Sequence, residues 1–216
     1  MVSTQALELS EVPDSQTKNR PGKRERLIAS AGELFLREGT ETPSIAEIAR
    51  AAKVPQGNVY YYFKTRDDLV RAVIEARGEE VHALLESINA RSTPRLRLKA
   101  LTRSWEEMSE VVAAFGCPMG SLASDLSRRD NSLAADSAAL IKVMIDWAAD
   151  QFRAMGRRDA RDLATTLLAG IQGASVLANA LRDPKLLTRE VRRLERWIDA
   201  IDQEANVRSS SANSSR

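Results

Sequence analysis

Seven residues with side chains or backbone suited to contacting a nucleic acid lie close together in "VPQGNVYYYFKTRDDL", Val54 to Leu69: Gln56, Gly57, Asn58, Tyr60, Tyr61, Tyr62 and Lys64. The 216-residue chain has only these three tyrosines. Amide side chains can read base edges, tyrosine hydroxyls can bond phosphate oxygens, and their rings can lie against sugars or thymine methyls. Gly57 would let the backbone come close to a phosphate or base. On a helix successive side chains point about 100° apart, so three consecutive tyrosines cannot all face one core. Val59 and Phe63, four apart, share the buried face with Tyr62 at its edge, and Tyr60 and Tyr61 project away beside Gln56 and Asn58. Lys64, Arg66 just beyond it, and the free amides of the helix that starts at Ser44 add phosphate contacts on either side.

These residues need a short helix held at a fixed angle. "SIAEIARAA" opens with Ser44 and carries Glu47 three residues on, the spacing at which each side chain satisfies a free amide of the other. After Ala52, "KVPQ" brings a proline that the first turn of a new helix tolerates, so the next helix runs from about Pro55 to Phe63. Two short helices joined by a turn of about four residues form a helix-turn-helix unit. Its expected interior is Ile45, Ile48, Ala49, Val54, Val59 and Phe63. A helix over Lys23–Glu38 precedes it, with Leu27, Ala31, Leu34 and Phe35 at helical spacing. Lys18, Arg20, Lys23, Arg24 and Arg26 against Glu25 alone make a basic arm there, suited to a neighbouring minor groove.

Downstream the pattern stays helical. Val70 to Ile88 predicts a long fourth helix, Leu98 to Phe115 an unbroken fifth, and Pro118 starts a short sixth. A seventh lies around Leu140–Trp147, an eighth from Leu163 to Leu181, and a ninth from Val191 to Ile201. The fold class is therefore all-α with about nine helices. The expected organisation is a disordered basic arm over 1–22, a three-helix DNA-binding domain over 23–66, a ligand-binding and dimerisation domain over 67–205, and a disordered serine-rich tail over 206–216.

Composition narrows the function. At 43 % hydrophobic the chain can bury a sizeable core, and its apolar runs fall short of the roughly 20 residues of a membrane span. The first residues lack the pattern of a secretory signal and one cysteine makes no internal disulfide, which together predict a cytoplasmic protein. The single histidine, His82, has too few companions for a metal site, and no motif pairs it with Cys117 as a nucleophile. No catalytic residue, metal or cofactor is expected, and no membrane partner.

The run "SIAEIARAAKVPQGNVYYYFKTRDDLV" resembles the DNA-binding domain of the TetR family of transcriptional regulators, on Ile48, Ala49, Ala52, Val54, Gly57, Val59, Tyr60, Tyr62 and Phe63. The resemblance implies that Gln56, Gly57, Asn58 and Tyr61 face bases, with Ser44, Tyr60, Tyr62, Lys64 and Arg66 on the backbone of a double-stranded operator. Two positions depart from the pattern. Lys53 stands where the family usually has glycine, so it either strains the turn or adds a phosphate contact, and Pro55 stands where a serine or threonine cap is usual. That cap is worth on the order of 1 kcal/mol.

One short recognition helix grips too few base pairs, so such proteins pair on a near-palindrome. The expected homodimer face is Leu167, Gly170, Ile171, Ala174 and Leu177 with Trp197, Ile198 and Ile201, in a four-helix bundle like the family's. Helices four to seven are expected to enclose a small-molecule effector against Trp105, Met108, Phe115, Cys117, Met119, Met144 and Trp147, because Met and Trp offer broad or adaptable apolar surface. The resulting expectation is a ligand-responsive, homodimeric repressor released by an inducer. Two alternatives stand beside it: a helical small-molecule carrier or scaffold without DNA binding, and a regulator in which Cys117, at a helix start, senses oxidants or electrophiles.

Overall fold

The computed structural model describes residues 21–128 and 132–213, with side chains as far as residue 204. Among them are ten α-helices and no strand: α1 (Lys23–Glu38), α2 (Ile45–Ala51), α3 (Gln56–Tyr62), α4 (Arg66–Asn89), α5 (Pro94–Glu107), α6 (Ser109–Phe115), α7 (Pro118–Leu126), α8 (Ser132–Ala154), α9 (Ala160–Leu181) and α10 (Pro184–Asn213). The expected fifth helix is thus two, broken at Met108 (φ −97°, ψ 9°). Trp105 and Val112, seven apart, are buried on both sides of the break, which is why the apolar spacing gives no sign of it.

Helix ends follow local chemistry. The Ser44–Glu47 capping box is formed, and a second one, Thr65 with Asp68, starts α4. Gly39 ends α1 at φ 83°, in the left-handed region that glycine enters without strain. Pro118 occupies the first turn of α7 as its missing N–H allows. α10 is helical to Asn213, over most of the stretch expected as a disordered tail, whereas residues 214–216 and the arm residues Lys18 and Arg20 lie outside the described residues.

Two apolar clusters organise the packing. One gathers Leu27, Ala31, Phe35, Ile48, Ala49, Val54, Val59, Phe63 and the first half of α4, and it extends without a gap to Leu122 and Leu126 of α7 and to Leu133 and Leu140 of α8. The head formed by α1–α3 therefore sits on α7 and α8 rather than hanging from a linker. The other cluster fills the body between α4, α5, α8, α9 and α10 around Trp105, Met144 and Phe152. Asp199 of α10 takes Lys99 and Arg95 of α5, both at 2.9 Å, in a partly exposed network that adds little beside this burial.

Candidate nucleic-acid interface

α3 is seated by one residue in four. Val59 is 1 % exposed and Phe63 is buried, while Tyr60 and Tyr61, at 55 % and 76 %, stand in the open beside exposed Gln56 and Gly57 and half-buried Asn58. Tyr62 packs against the head core and meets the Tyr61 ring edge-on, centroids 5.0 Å apart. A Cβ at Gly57 would meet nothing within 4 Å, so nothing inside the chain requires glycine there; its backbone is bare toward the outside.

The turn before α3 sets its angle. Val54 N–H donates to Ala49 O (2.9 Å) and Lys53 N–H to Arg50 O (3.1 Å), closing α2 tightly. Lys53 adopts φ 53°, a left-handed conformation that costs a side-chain-bearing residue roughly 1–2 kcal/mol. The side chain itself is exposed. Pro55 gives α3 no side-chain cap, and its carbonyl accepts Asn58 N–H at 2.9 Å instead.

The arginines divide in a way sequence did not reveal. Arg26 donates through Nε to Ala52 O (3.1 Å) and through a terminal nitrogen to Pro21 O (2.8 Å), tying α1 to the turn. Arg66, expected among the phosphate contacts, is turned inward: Nε donates to Thr40 O (3.0 Å), a terminal nitrogen to Pro43 O (2.8 Å), and the guanidinium lies 5.7 Å from the Phe35 ring centroid. Lys23, Arg24 and Lys64 remain at the surface, with Arg24 over the Phe63 ring and Lys64 Nζ reaching Tyr60 O at 3.1 Å. Ser44 is exposed, and its hydroxyl and amide hold the Glu47 carboxyl below the usual carboxylate range.

Behind the head, α1, α7, α8 and α9 border an open cleft of about 900 Å³. Of the seven residues expected around an effector, Cys117 alone lines it. Trp105 and Met144 are fully buried, Met119 is buried, and Met108 sits half-buried at the α5–α6 break. Trp147 bonds Asn89 through its indole N–H (3.1 Å), and Phe115 is capped by Arg37, 5.0 Å from its ring centroid. Trp105, Met119 and Met144 belong to the buried core of the body, with Met108 and Trp147 partly buried against it. The polar part of the cleft lining includes Ser121, Asp125, Gln172 and Asn179. The helical start at Pro118 was the signal that this segment forms a wall.

Most of the residues expected at a dimer face are turned into their own chain. Leu167, Ile171, Ala174, Ile198 and Ile201 are buried inside their own chain, Trp197 packs on Phe152, and a Cβ at Gly170 would meet Glu190 and Leu194 of α10. Leu177 alone of the set is open, at 55 %. The uncovered side of α9 carries Ala169, Gly173, Val176, Leu177, Ala180 and Leu181, and a Cβ at Gly173 would meet nothing. This makes α9 apolar on both sides, and by length and hydropathy it meets the criterion for a membrane span even though one side packs on α8 and α10.

A short helix with an outward face of amides and tyrosines, locked on a second helix through a tight turn and carried by a larger helical body, defines a helix-turn-helix DNA-binding protein. The chain belongs to the TetR family of transcriptional regulators: residues 27–73 match the bacterial regulatory proteins of the tetR family, and residues 85–193 match the LmrA/YxaF-like transcriptional regulator C-terminal domain. The transcriptional regulator AcuR of Cereibacter sphaeroides is 31 % identical over 146 residues, 63 % of this chain and 65 % of that one, just under two thirds of the relative's length. The HTH-type transcriptional regulator YxaF of Bacillus subtilis is 23 % identical over 182 residues, 80 % of this chain and 94 % of that protein. The regulatory protein TetR of Rhodobacter sphaeroides has the same fold, with a TM-score of 0.72 at 26 % identity over 81 % of this chain and 97 % of its own.

Proposed function

We propose that this regulator is a homodimeric repressor that presents two copies of α3 to successive major-groove faces of a semi-palindromic operator and lets go when a small molecule binds the body. The observation that carries the reading is the outward pair Tyr60 and Tyr61 beside Gln56, exposed although a full core lies directly behind them. Aromatic rings left in water at such a cost in apolar exposure mark an interaction face. Gln56, Asn58 and Tyr61 read bases in this arrangement, and Tyr60, Lys64, Lys53 and Ser44 hold phosphates.

Pairing rests on the outer side of α9. Ala169 and Gly173, four apart and small, admit another helix backbone closely, with Val176, Leu177 and Leu181 supplying apolar area. A duplex-DNA partner places the work in the cytoplasm. Selection of duplexes from a random pool is the test: the bound set should contain an inverted repeat with half-sites about one helical turn apart, bound with a steep salt dependence and not displaced by unrelated DNA. Recovery of no enriched sequence would refute this reading and favour a carrier or scaffold.

A further inference from the structure

The cleft behind the head lies where three parts of the chain meet: the C-terminal end of α1, the length of α7, and the facing sides of α8 and α9. Its wall is largely apolar, with Phe35 contributed by the head and Ile141 and Ile145 by α8. Its charged groups are unevenly matched. Lys142 Nζ donates to one oxygen of Asp146 (2.6 Å) and Arg161 to the other, so two cations share one carboxylate. Arg128 reaches one oxygen of Asp125 at 3.5 Å, and Thr40 donates to the other. Among the described residues, three cations face two engaged carboxylates, leaving one positive charge in excess and more N–H donors than the two carboxylates accept.

We propose that this cleft binds an organic anion with an apolar body, its acid group at Lys142 and Arg161 and its body along Phe35, Ile141 and Ile145, and that Asp125 passes its occupancy to α3. The proposal deepens the reading of the chain as an effector-controlled regulator and rests on it. A neutral or cationic molecule of the same shape gains nothing from the rim.

The path from cleft to head is short. Asp125 lines the cleft, and one of its oxygens accepts both the amide (2.7 Å) and the hydroxyl (2.5 Å) of Thr40. The Thr40 carbonyl in turn accepts Arg66 Nε, and Arg66 follows the end of α3 by four residues. Gly39, at φ 83° and itself in the cleft wall, brings the chain against Asp125, where a Cβ would lie 3.8 Å from the carboxylate. A ligand pressing on α7, or drawing Arg128 away, changes a contact that helps to hold the α1–α2 loop and, through Arg66, the base of α3.

The test uses the full chain, decanoate and 8-anilinonaphthalene-1-sulfonate as anionic probes, and decyltrimethylammonium as the oppositely charged control. Calorimetry should show each anion saturating at one per chain and the cation not binding. The double variant Lys142→Gln/Arg161→Gln should weaken the anions roughly tenfold or more, and Ile141→Trp should fill the site and abolish saturation, each variant being checked for helix content and assembly. Asp125→Asn, which removes a carboxylate from the cleft wall, should bind the anions as tightly as the parent or more so, yet its selected duplex should no longer be released by them. Equal binding of the cation, parent affinity in both cleft variants, no saturation by either anion up to about 1 mM, or ordinary release in Asp125→Asn overturns the proposal. Duplex binding without anion binding sinks this site and leaves the regulator standing, and the converse sinks the regulator and leaves the site.

Discussion

Two helices leave apolar or aromatic surface uncovered, and they do so differently. The outer side of α3 mixes rings with amides, a bare glycine and nearby cations, whereas the outer side of α9 offers small residues and aliphatic chains with no cation among Ala169, Gly173, Val176, Leu177, Ala180 and Leu181. Exposure is common to both; what decorates it decides the partner. Hydrogen-bonding groups among rings suit a polar, charged groove. Plain aliphatic surface beside small residues suits another helix, since it gains only by being buried and makes no demand for charge.

That contrast breaks most readily at α9. Val176→Glu with Leu177→Glu should turn dimers into monomers in sedimentation equilibrium and weaken operator binding by roughly 100-fold or more, because the two half-sites then bind independently. A doubly substituted chain that still sediments as a dimer would remove α9 from the interface. Ile171→Ala, on the opposite side of the same helix, should instead lower stability by about 2–5 kcal/mol in chemical denaturation and leave the assembly of the folded chain alone.

Tyr60→Ala with Tyr61→Ala should come next, weakening duplex binding roughly 10- to 100-fold with a melting temperature close to the parent's. A large drop in melting temperature with normal binding would make α3's rings structural and erase the distinction. Acid sensitivity probes the joint between head and body. Burial pushes the Asp125 carboxyl up, but the two donations from Thr40 and the Arg128 charge outweigh it and hold the group below the usual range. A depressed carboxylate contributes stability that is present above its unfolded value and lost as the pH falls through its folded value. The parent should therefore lose more stability than Asp125→Asn on acidification below about pH 4, as read by denaturant midpoints. The smallest effect belongs to the turn: Lys53→Gly should relieve the left-handed strain, raising stability by about 0.5–1 kcal/mol and lowering the salt slope of duplex binding by about 1.

The same two helices show what could be read from the sequence and what could not. α3 carries its own phase marks: Val59 is the one aliphatic anchor in a seven-residue helix, Phe63 follows at its C-cap, and the turn chemistry ahead of it fixes where counting starts. Outward Tyr60 and Tyr61 follow. α9 has no such mark. With Leu167 and Ile171 on one side and Val176 and Leu181 on the other, periodicity finds the helix but cannot say which side faces its own chain. The cleft lies away from most of the residues expected around an effector for a related reason. Residue type favours Met and Trp, but the cleft exists where small residues such as Gly116, Gly120, Ser121 and Ser124 fail to fill space, and a missing side chain has no periodic signature. Arg66 and Arg26 were beyond reach because their partners are main-chain oxygens.

Those two arginines make the head tolerant in one respect and brittle in another. Carbonyls of Thr40, Pro43 and Ala52 persist whatever residue occupies the position. Drift in the lettering of the 39–44 and 52–55 segments therefore spares both clamps, but adding or removing one residue there moves every acceptor out of register and tilts the reading helix.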